Sequence, residues 1–358
     1  MWIFKNKNYV RLLSLVLITV MLSCSLCACK GKEEEETTTT TEAPTTAVPT
    51  TEAPVIRNPI TGEPDYDKSL TKNRPVVISV ENHPSARPQW GLCSSDLVME
   101  MVAEGGITRM LLMYADKSRI PEKVGPVRSA RHYFVELVTG FDAIFVHWGG
   151  STYAYNEFSK GYCDHLDGKA ISSCFFRDKT TNRALEHTGY TTGSSIVSTI
   201  ENKGLRTELN DGYTSPFKFK KKNSAPSENE CTSCKISFSQ SYTYTYTYDE
   251  EKKVYYSSLN GTPFVDSDGN QQNFTNLLII YTKITDLHDS KSRVTFDLSS
   301  GHGIYVSNGA YKEIKWEKGS SKDMLKFYDE NGKELKLNAG RSYIGILGTG
   351  RESYTQIS

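Results

Sequence analysis

Residues 33–54 read EEEETTTTTEAPTTAVPTTEAP. Threonine, glutamate, proline, alanine and a single valine cannot bury enough apolar surface to offset the entropy of ordering the chain. A stable core must therefore be built from residues C-terminal to this run. With its neighbours the run reads as a disordered tether over residues 30–66, partly polyproline in character, which reaches on the order of 100 Å if extended.

Lys5, Lys7 and Arg11 precede LLSLVLITVML, an apolar run too short to span a bilayer comfortably. Charged residues ahead of such a run are the layout of a secretory signal, here residues 1–29. The signal ends in SLCACK, where Leu26, Cys27, Ala28 and Cys29 spell a bacterial lipobox. Cys29 is the expected site of diacylglycerol attachment, with Cys24 the second choice. These segments predict an extracytoplasmic protein on the outer face of the cytoplasmic membrane, held by a lipid at its N-terminus.

Lysine plus arginine and aspartate plus glutamate are equal at 42 each, so no overall field draws the chain to nucleic acid. Anion binding has to come from a local cluster. Beyond the lipobox the cysteines are Cys93, Cys163, Cys174, Cys231 and Cys234. An odd number leaves at least one thiol unpaired, and a Cys163–Cys174 bridge is conceivable but not fixed by spacing. Cys231-Thr-Ser-Cys234 has CxxC spacing but sits in a polar stretch without a second pair, so a surface loop is expected rather than a redox or zinc site.

The pattern of the remaining chain changes once. PVVISVE (75–81), ITRMLLMYA (107–115) and DAIFVHW (142–148) read as strands. DLVMEMVA (96–103) carries apolar residues at 97, 98, 101 and 102 and reads as a helix, with Asp96 and Glu100 on its solvated side. From residue 236 the period becomes two, with Asn-Gly and Gly turns between runs. In YTYTYTY a tyrosine face on a core and a threonine face in solvent are expected. The fold class is thus an α/β N-terminal domain over 67–217, a mixed sheet with flanking helices. A basic linker over 218–235 leads to a smaller, mainly antiparallel β domain over 236–358.

The stretch VGPVRSARHY (124–133) places Arg128 and Arg131 at i and i+3 after Gly125-Pro126. In the first turn of a helix they would share a face, where cations are unfavourable unless an anion meets them. Two readings are open: an anion site, joined by Arg109 from EGGITR, or internal ion pairs with Asp96, Glu100, Glu104, Glu122 or Asp142. Glu81, Asn82 and His147 lie at the ends of strands, where α/β sheets place ligands. Glu81, Glu104 and His147 are candidate acid–base groups; Arg109, Arg128, Arg131, Asn82, Arg177 and His187 are candidate ligand contacts. No short ligand spacing supports a metal site, and no motif names a cofactor.

RPVVISVENHPSARPQWGLCSSDLVMEMVAEGGITRMLLMYADK, PEKVGPVRSARHYFVELVTGFDAIFVHWGGS and DLSSGHGIYVSNGAYKEIKW resemble the paired N- and C-terminal domains of the YerB-like lipoproteins. The resemblance implies a bacterial envelope lipoprotein of unassigned biochemical function. ITRMLLMYADKSRIPEKVGPVRSAR also looks like the arginine-bearing segment of the LytR-CpsA-Psr wall-polymer ligases. The Arg-x-Asp and Pro-Arg-Asp signatures are missing, so that likeness implies only anion binding by Arg109, Arg128 and Arg131. The leading expectation is an anchored protein that binds, or acts on, an anionic envelope ligand such as a phosphorylated glycan or a polyprenyl-pyrophosphate-linked precursor. A glycan hydrolase using Glu81 and Glu104 as paired carboxylates, and a non-catalytic assembly factor for protein partners, are the alternatives.

Overall fold

The structure, a computed structural model, describes residues 55–358; the signal, the Cys29 lipobox and the first part of the tether lie outside the described residues. No helix among the described residues is long and apolar enough to cross a membrane. The N-terminal region supplies β1 (Val76–Glu81), β2 (Leu97–Val102), β3 (Thr108–Tyr114), β4 (Ile144–His147) and β5 (His165–Asp167). Helices α1 (His132–Gly140), α2 (Thr152–Phe158) and α3 (Gly193–Asn202) flank them, and β6 (Phe175–Arg177) pairs with β7 (Gly189–Thr191) in a separate hairpin. The C-terminal region adds β8 (Ser233–Ser239), β9 (Tyr242–Asp249), β10 (Val254–Leu259), β11 (Asn276–Thr282), β12 (Ser300–Ser307), β13 (Ala310–Glu317), β14 (Lys326–Asp329) and β15 (Ser342–Gly348).

The α/β region with its mixed pairing and the mainly antiparallel C-terminal region are both present, and they meet within one sheet. Ten strands run in the order β14-β13-β12-β11-β15-β2-β3-β1-β4-β5. Strand β15, from the end of the chain, lies between β11 and β2 and is parallel to both. β2 is the strand that the apolar spacing predicts as a helix. Leu97 through Met101 are all buried, so no face of the segment meets water and the sequence shows no alternation. Asp96 and Glu100, expected on a solvated face, are 2% and 1% exposed.

Each face of the sheet carries its own core. On one, Tyr133, Phe134, Leu137 and Val138 of α1 pack over Leu111, Met113, Ile344 and Trp316. On the other, Val76, Ile78, Met110 and Leu112 meet Ile196 and Ile200 of α3 and the tyrosines of β9. Tyr242, Tyr244 and Tyr246 are buried while Thr243, Thr245 and Thr247 stay at least partly open, as a strand with one dry face requires.

Several segments read as loops belong to the fold. Residues 56–66, the expected end of the tether, are packed on it: Ile60 enters the α1 core and Asn58 Nδ2 donates to Asp96 at 3.2 Å. Within the expected linker, Lys218–Phe219 pairs with Lys336–Leu337, and Cys231 and Cys234 are fully buried at the start of β8 rather than in a surface loop. All five described cysteines are free, so the Cys163–Cys174 bridge is not formed.

Candidate functional site

Helix α1 begins at His132, later than the sequence suggests, and Arg131 precedes it in extended conformation (φ −124°, ψ 154°). Arg128 lies further upstream, in a stretch held between β1 and β7: its N–H donates to Ser79 O at 2.8 Å, and Val127 N–H donates to Gly189 O at 2.6 Å. The two arginines therefore do not share a helical face. Extended backbone sends them to different partners.

Arg131 meets Glu104 in a two-pronged ion pair. Its Nη2 donates to Oε2 at 2.6 Å and its Nε to Oε1, while Nη1 donates to Ala130 O at 2.8 Å. Glu104 sits in the turn Glu104–Gly106 between β2 and β3, where Gly105 and Gly106 take φ of 64° and 72°, a region that favours glycine. Arg109, opposite Met101 on β3, adds a third bond to the same carboxylate at 3.2 Å. Burial alone would raise the Glu104 pKa, but the Arg131 hydrogen bonds and both guanidinium charges hold it below the usual carboxylate range. For Arg109 and Arg131 the ion-pair arrangement is the one present.

Arg128 belongs to a second cluster. Its Nε lies 3.2 Å from Glu81 Oε1, an ion pair whose N–H points off the line, so Nε is buried without a hydrogen-bond acceptor. Glu81 Oε2 is engaged by His187 Nδ1 at 2.9 Å, and the His187 ring stacks on His83 with centroids 4.8 Å apart. The β6–β7 hairpin brings Arg177 alongside. Arg128 Nη1 donates to Glu186 O at 3.1 Å and Arg177 Nη1 to the preceding carbonyl, Leu185 O, at 2.5 Å. Arg177 lies 4.1 Å above the Trp148 ring, and burial, then the Arg128 charge, lower its pKa. Gly189 leaves room for this stack, since a Cβ there would stand 2.8 Å from the Trp148 ring.

Among the described residues Arg177 has no carboxylate within 4.0 Å. Besides Glu81, its neighbour Arg128 also faces the carboxylate of Glu186, on a side chain 62% exposed, with Oε2 3.5 Å from Arg128 Nη2 and Oε1 3.9 Å from His187 Nε2. An anionic group thus already stands in front of Arg128 and His187, on an arm that can swing into solvent.

The other sequence candidates are buried away from this surface. Asn82 is fully buried; its Nδ2 lies 2.9 Å from Glu100 Oε1 and 2.8 Å from Tyr244 Oη, and its Oδ1 accepts from Arg87 Nε at 2.9 Å. Glu100 also accepts from Thr108 Oγ1 at 2.5 Å and Tyr343 Oη at 2.9 Å, and burial pushes its pKa up. This network of β2, β9 and β15 joins the two halves of the chain and is closed to solvent. His147 is also fully buried, stacked on Phe158, with Nδ1 2.7 Å from Gly149 O and Nε2 2.9 Å from His165 Nδ1. Burial pushes its pKa down to about 4. Among the described residues no group of three or more His, Cys, Asp or Glu is placed to hold a metal.

Sequence reasoning missed Trp148, His83 and Glu186 as parts of the Arg128 surface. Trp148 adjoins His147, His83 adjoins Asn82 and Glu186 adjoins His187, so proximity in the chain is the available signal. An open cavity of about 920 Å³ lies elsewhere, where the end of α1 meets the β13–β14 connection.

Similarity to known proteins bears on this geometry. Residues 60–206 match the N-terminal domain, and residues 234–344 the C-terminal domain, of a protein of unknown function, DUF3048. The chain belongs to that family. It is 32% identical over 285 residues to the Bacillus subtilis (strain 168) protein named "Putative lipoprotein YerB", covering 78% of this chain and 83% of that one. The crystal structure of the Bacillus subtilis YerB protein superposes with a TM-score of 0.74 at 31% identity, covering 85% of this chain and 99% of that chain. The likeness to the LytR-CpsA-Psr ligases gains no support from these matches. Its three arginines do not form a common open cradle here, because Arg109 and Arg131 close on Glu104.

Proposed function

We propose that the protein is a lipid-anchored envelope protein that binds an anionic envelope ligand at the surface formed by Arg128, Arg177 and His187. A phosphorylated glycan or a polyprenyl-pyrophosphate-linked precursor has the required chemistry. Cys29 is the proposed anchor, on the outer face of the cytoplasmic membrane, and the Thr/Glu/Pro run gives the folded part reach into the envelope. The relative's printed name, a lipoprotein, supports the anchoring.

One observation carries the ligand site: Arg177 stands beside Arg128 with no carboxylate partner of its own among the described residues, while Arg128 is paired with the buried Glu81 and the exposed Glu186. Arg128 Nε is a buried donor without an acceptor, and Arg177 has only a carbonyl and the Trp148 face. The Glu186 carboxylate stands where a ligand phosphate oxygen would sit. Binding without chemistry accounts for this arrangement. The paired-carboxylate hydrolase reading is disfavoured, because Glu81 and Glu104 are both committed to cations.

The test is calorimetric titration of the full chain in detergent with a soluble polyprenyl pyrophosphate analogue. Arg177→Ala should weaken binding by about tenfold or more, the scale of one lost hydrogen bond to a charged group. Wild-type protein that takes up no such ligand, or an Arg177→Ala variant that binds as well as wild type, would overturn the assignment.

A further inference from the structure

The 920 Å³ groove shares no residue with the Arg128 surface and is lined by polar groups from both halves of the chain. Each of its carboxylates already accepts a hydrogen bond, Asp142 and Asp164 from arginines and Glu317 and Asp323 from neutral groups. Asp142 accepts from Arg206 Nη1 at 2.9 Å, and Asp164 from Arg74 Nη1 at 2.5 Å. Glu317 accepts from Tyr328 Oη at 2.6 Å, and Asp323 from the Ser320 N–H at 2.7 Å. Its lysines are not matched in this way. Lys318, Lys322 and Lys326 line the groove, and among the described residues none has a carboxylate within 4.0 Å.

Lys318 is the informative one. It is 3% exposed, and its Nζ donates to Ser320 O at 2.8 Å and Ser321 O at 2.9 Å, which leaves one of its three protons unmatched. A buried ammonium with no carboxylate in direct contact is costly to keep. Burial pushes its pKa down to about 8, against the pull of Glu136 and Asp323. Lys322 Nζ lies 3.6 Å above the Tyr162 ring, which is 51% exposed, and Tyr213 lines the same groove. Aromatic faces beside unpaired cations suit a polyol that carries acid groups. The volume is at the upper end of single-ligand pockets and accommodates several linked units.

We propose that this groove is a second ligand site, which binds a segment of anionic glycan or polyol polymer through Lys318, Lys322 and Lys326. The proposal shares with the preceding one only the envelope location and does not rest on the Arg128 surface. The recognised chemistry is a repeating anion on a hydroxyl-rich chain, and phosphodiesters or carboxylates both supply it.

The test titrates the full chain in detergent with oligomers of poly(glycerol phosphate), of polygalacturonate and of neutral dextran. Wild type should bind at least one anionic oligomer and not dextran, and the oligomer bound identifies the acid group. The exposed double variant Lys322→Ala/Lys326→Ala should keep its melting temperature and bind about tenfold or more weakly, the loss expected for removed charge-assisted contacts. Lys318→Gln should weaken binding further; if it unfolds, the double variant decides. In an Arg177→Ala background the Lys322→Ala/Lys326→Ala changes should still weaken oligomer binding about tenfold or more, which separates failure here from failure of the pyrophosphate site. No uptake of either anionic oligomer, equal uptake of dextran, or a double variant that binds as wild type would overturn the proposal.

Discussion

The Glu104 bridge makes a quantitative prediction about which arginines hold the fold and which are free for a ligand. Arg131→Ala removes two charge-assisted hydrogen bonds to Glu104 and those to Ser129 O and Ala130 O, but leaves the carboxylate its contact with Arg109. Breaking a fully buried pair costs about 3–5 kcal/mol. Here Glu104 is 25% exposed and keeps a partner, which brings the expectation down to about 2–3 kcal/mol. Glu104→Ala is the harsher change, because it leaves Arg109 and Arg131 side by side without an anion, and should cost about 3–5 kcal/mol. Arg128→Ala leaves Glu81 bonded to His187 and should cost about 1–2 kcal/mol. Urea unfolding of the three variants, with the slope checked for constancy, gives the order directly. An Arg131→Ala protein as stable as wild type, but defective in binding a pyrophosphate lipid, would refute this assignment and return Arg131 to the ligand.

The same contacts set further outcomes. Glu186→Ala removes the anion standing before Arg128 and His187, so it should tighten binding of the pyrophosphate analogue in titration, whereas weaker binding would make Glu186 a ligand contact. Glu100→Gln should be more stable than wild type at pH 8, with the gap closing towards pH 4. Burial raises the Glu100 pKa, so its contribution is present below the ordinary value of 4.5 and is lost as pH rises through the folded value; equal stability at both pH values would contradict this. His147 runs the other way: its pKa falls from 6.5 to about 4, so the unfolded chain takes a proton in that window that the folded chain refuses. Stability should fall by up to about 3 kcal/mol between pH 6.5 and 4, and His147→Asn should flatten that part of the curve seen in thermal unfolding. Cys29→Ala should move the protein to the soluble fraction or leave an unprocessed precursor, and normal acylation of that variant would shift the anchor to Cys24.

The sequence makes several strands legible and hides the joint. Residues 75–81 and 107–115 announce themselves as strands through long apolar runs, and the tyrosine alternation of β9 predicts its own dry face correctly. β2 misleads because a strand buried on both sides has no period, and its apolar positions 97, 98, 101 and 102 happen to fit a helix. Only the arrival of β15 from the far end of the chain explains why Glu100 is buried rather than solvated. The CxxC pair misleads similarly, since its polar neighbours say nothing of the packing that buries Cys231 and Cys234. At the candidate site, the sequence singles out Arg128, Arg177, Glu81 and His187, which do come together, because all lie in segments that end or leave strands. It also offers Arg131 and Glu104 separately, without showing that they satisfy each other. Nothing in a linear pattern reveals that an extended rather than helical backbone sends Arg128 and Arg131 apart.

The central claim is that an anionic ligand is held between Arg128 and Arg177 above Trp148. The most direct measurement is NMR of full-length protein in detergent, labelled with 15N at tryptophan and arginine, titrated with the polyprenyl pyrophosphate analogue. The account predicts saturable shifts of the Trp148 indole and of the Arg177 and Arg128 Nε–H signals, with Arg109 and Arg131 left unmoved. Saturating binding that shifts Arg109 and Arg131 while Trp148, Arg128 and Arg177 stay fixed, or no shift at any of them, would contradict it.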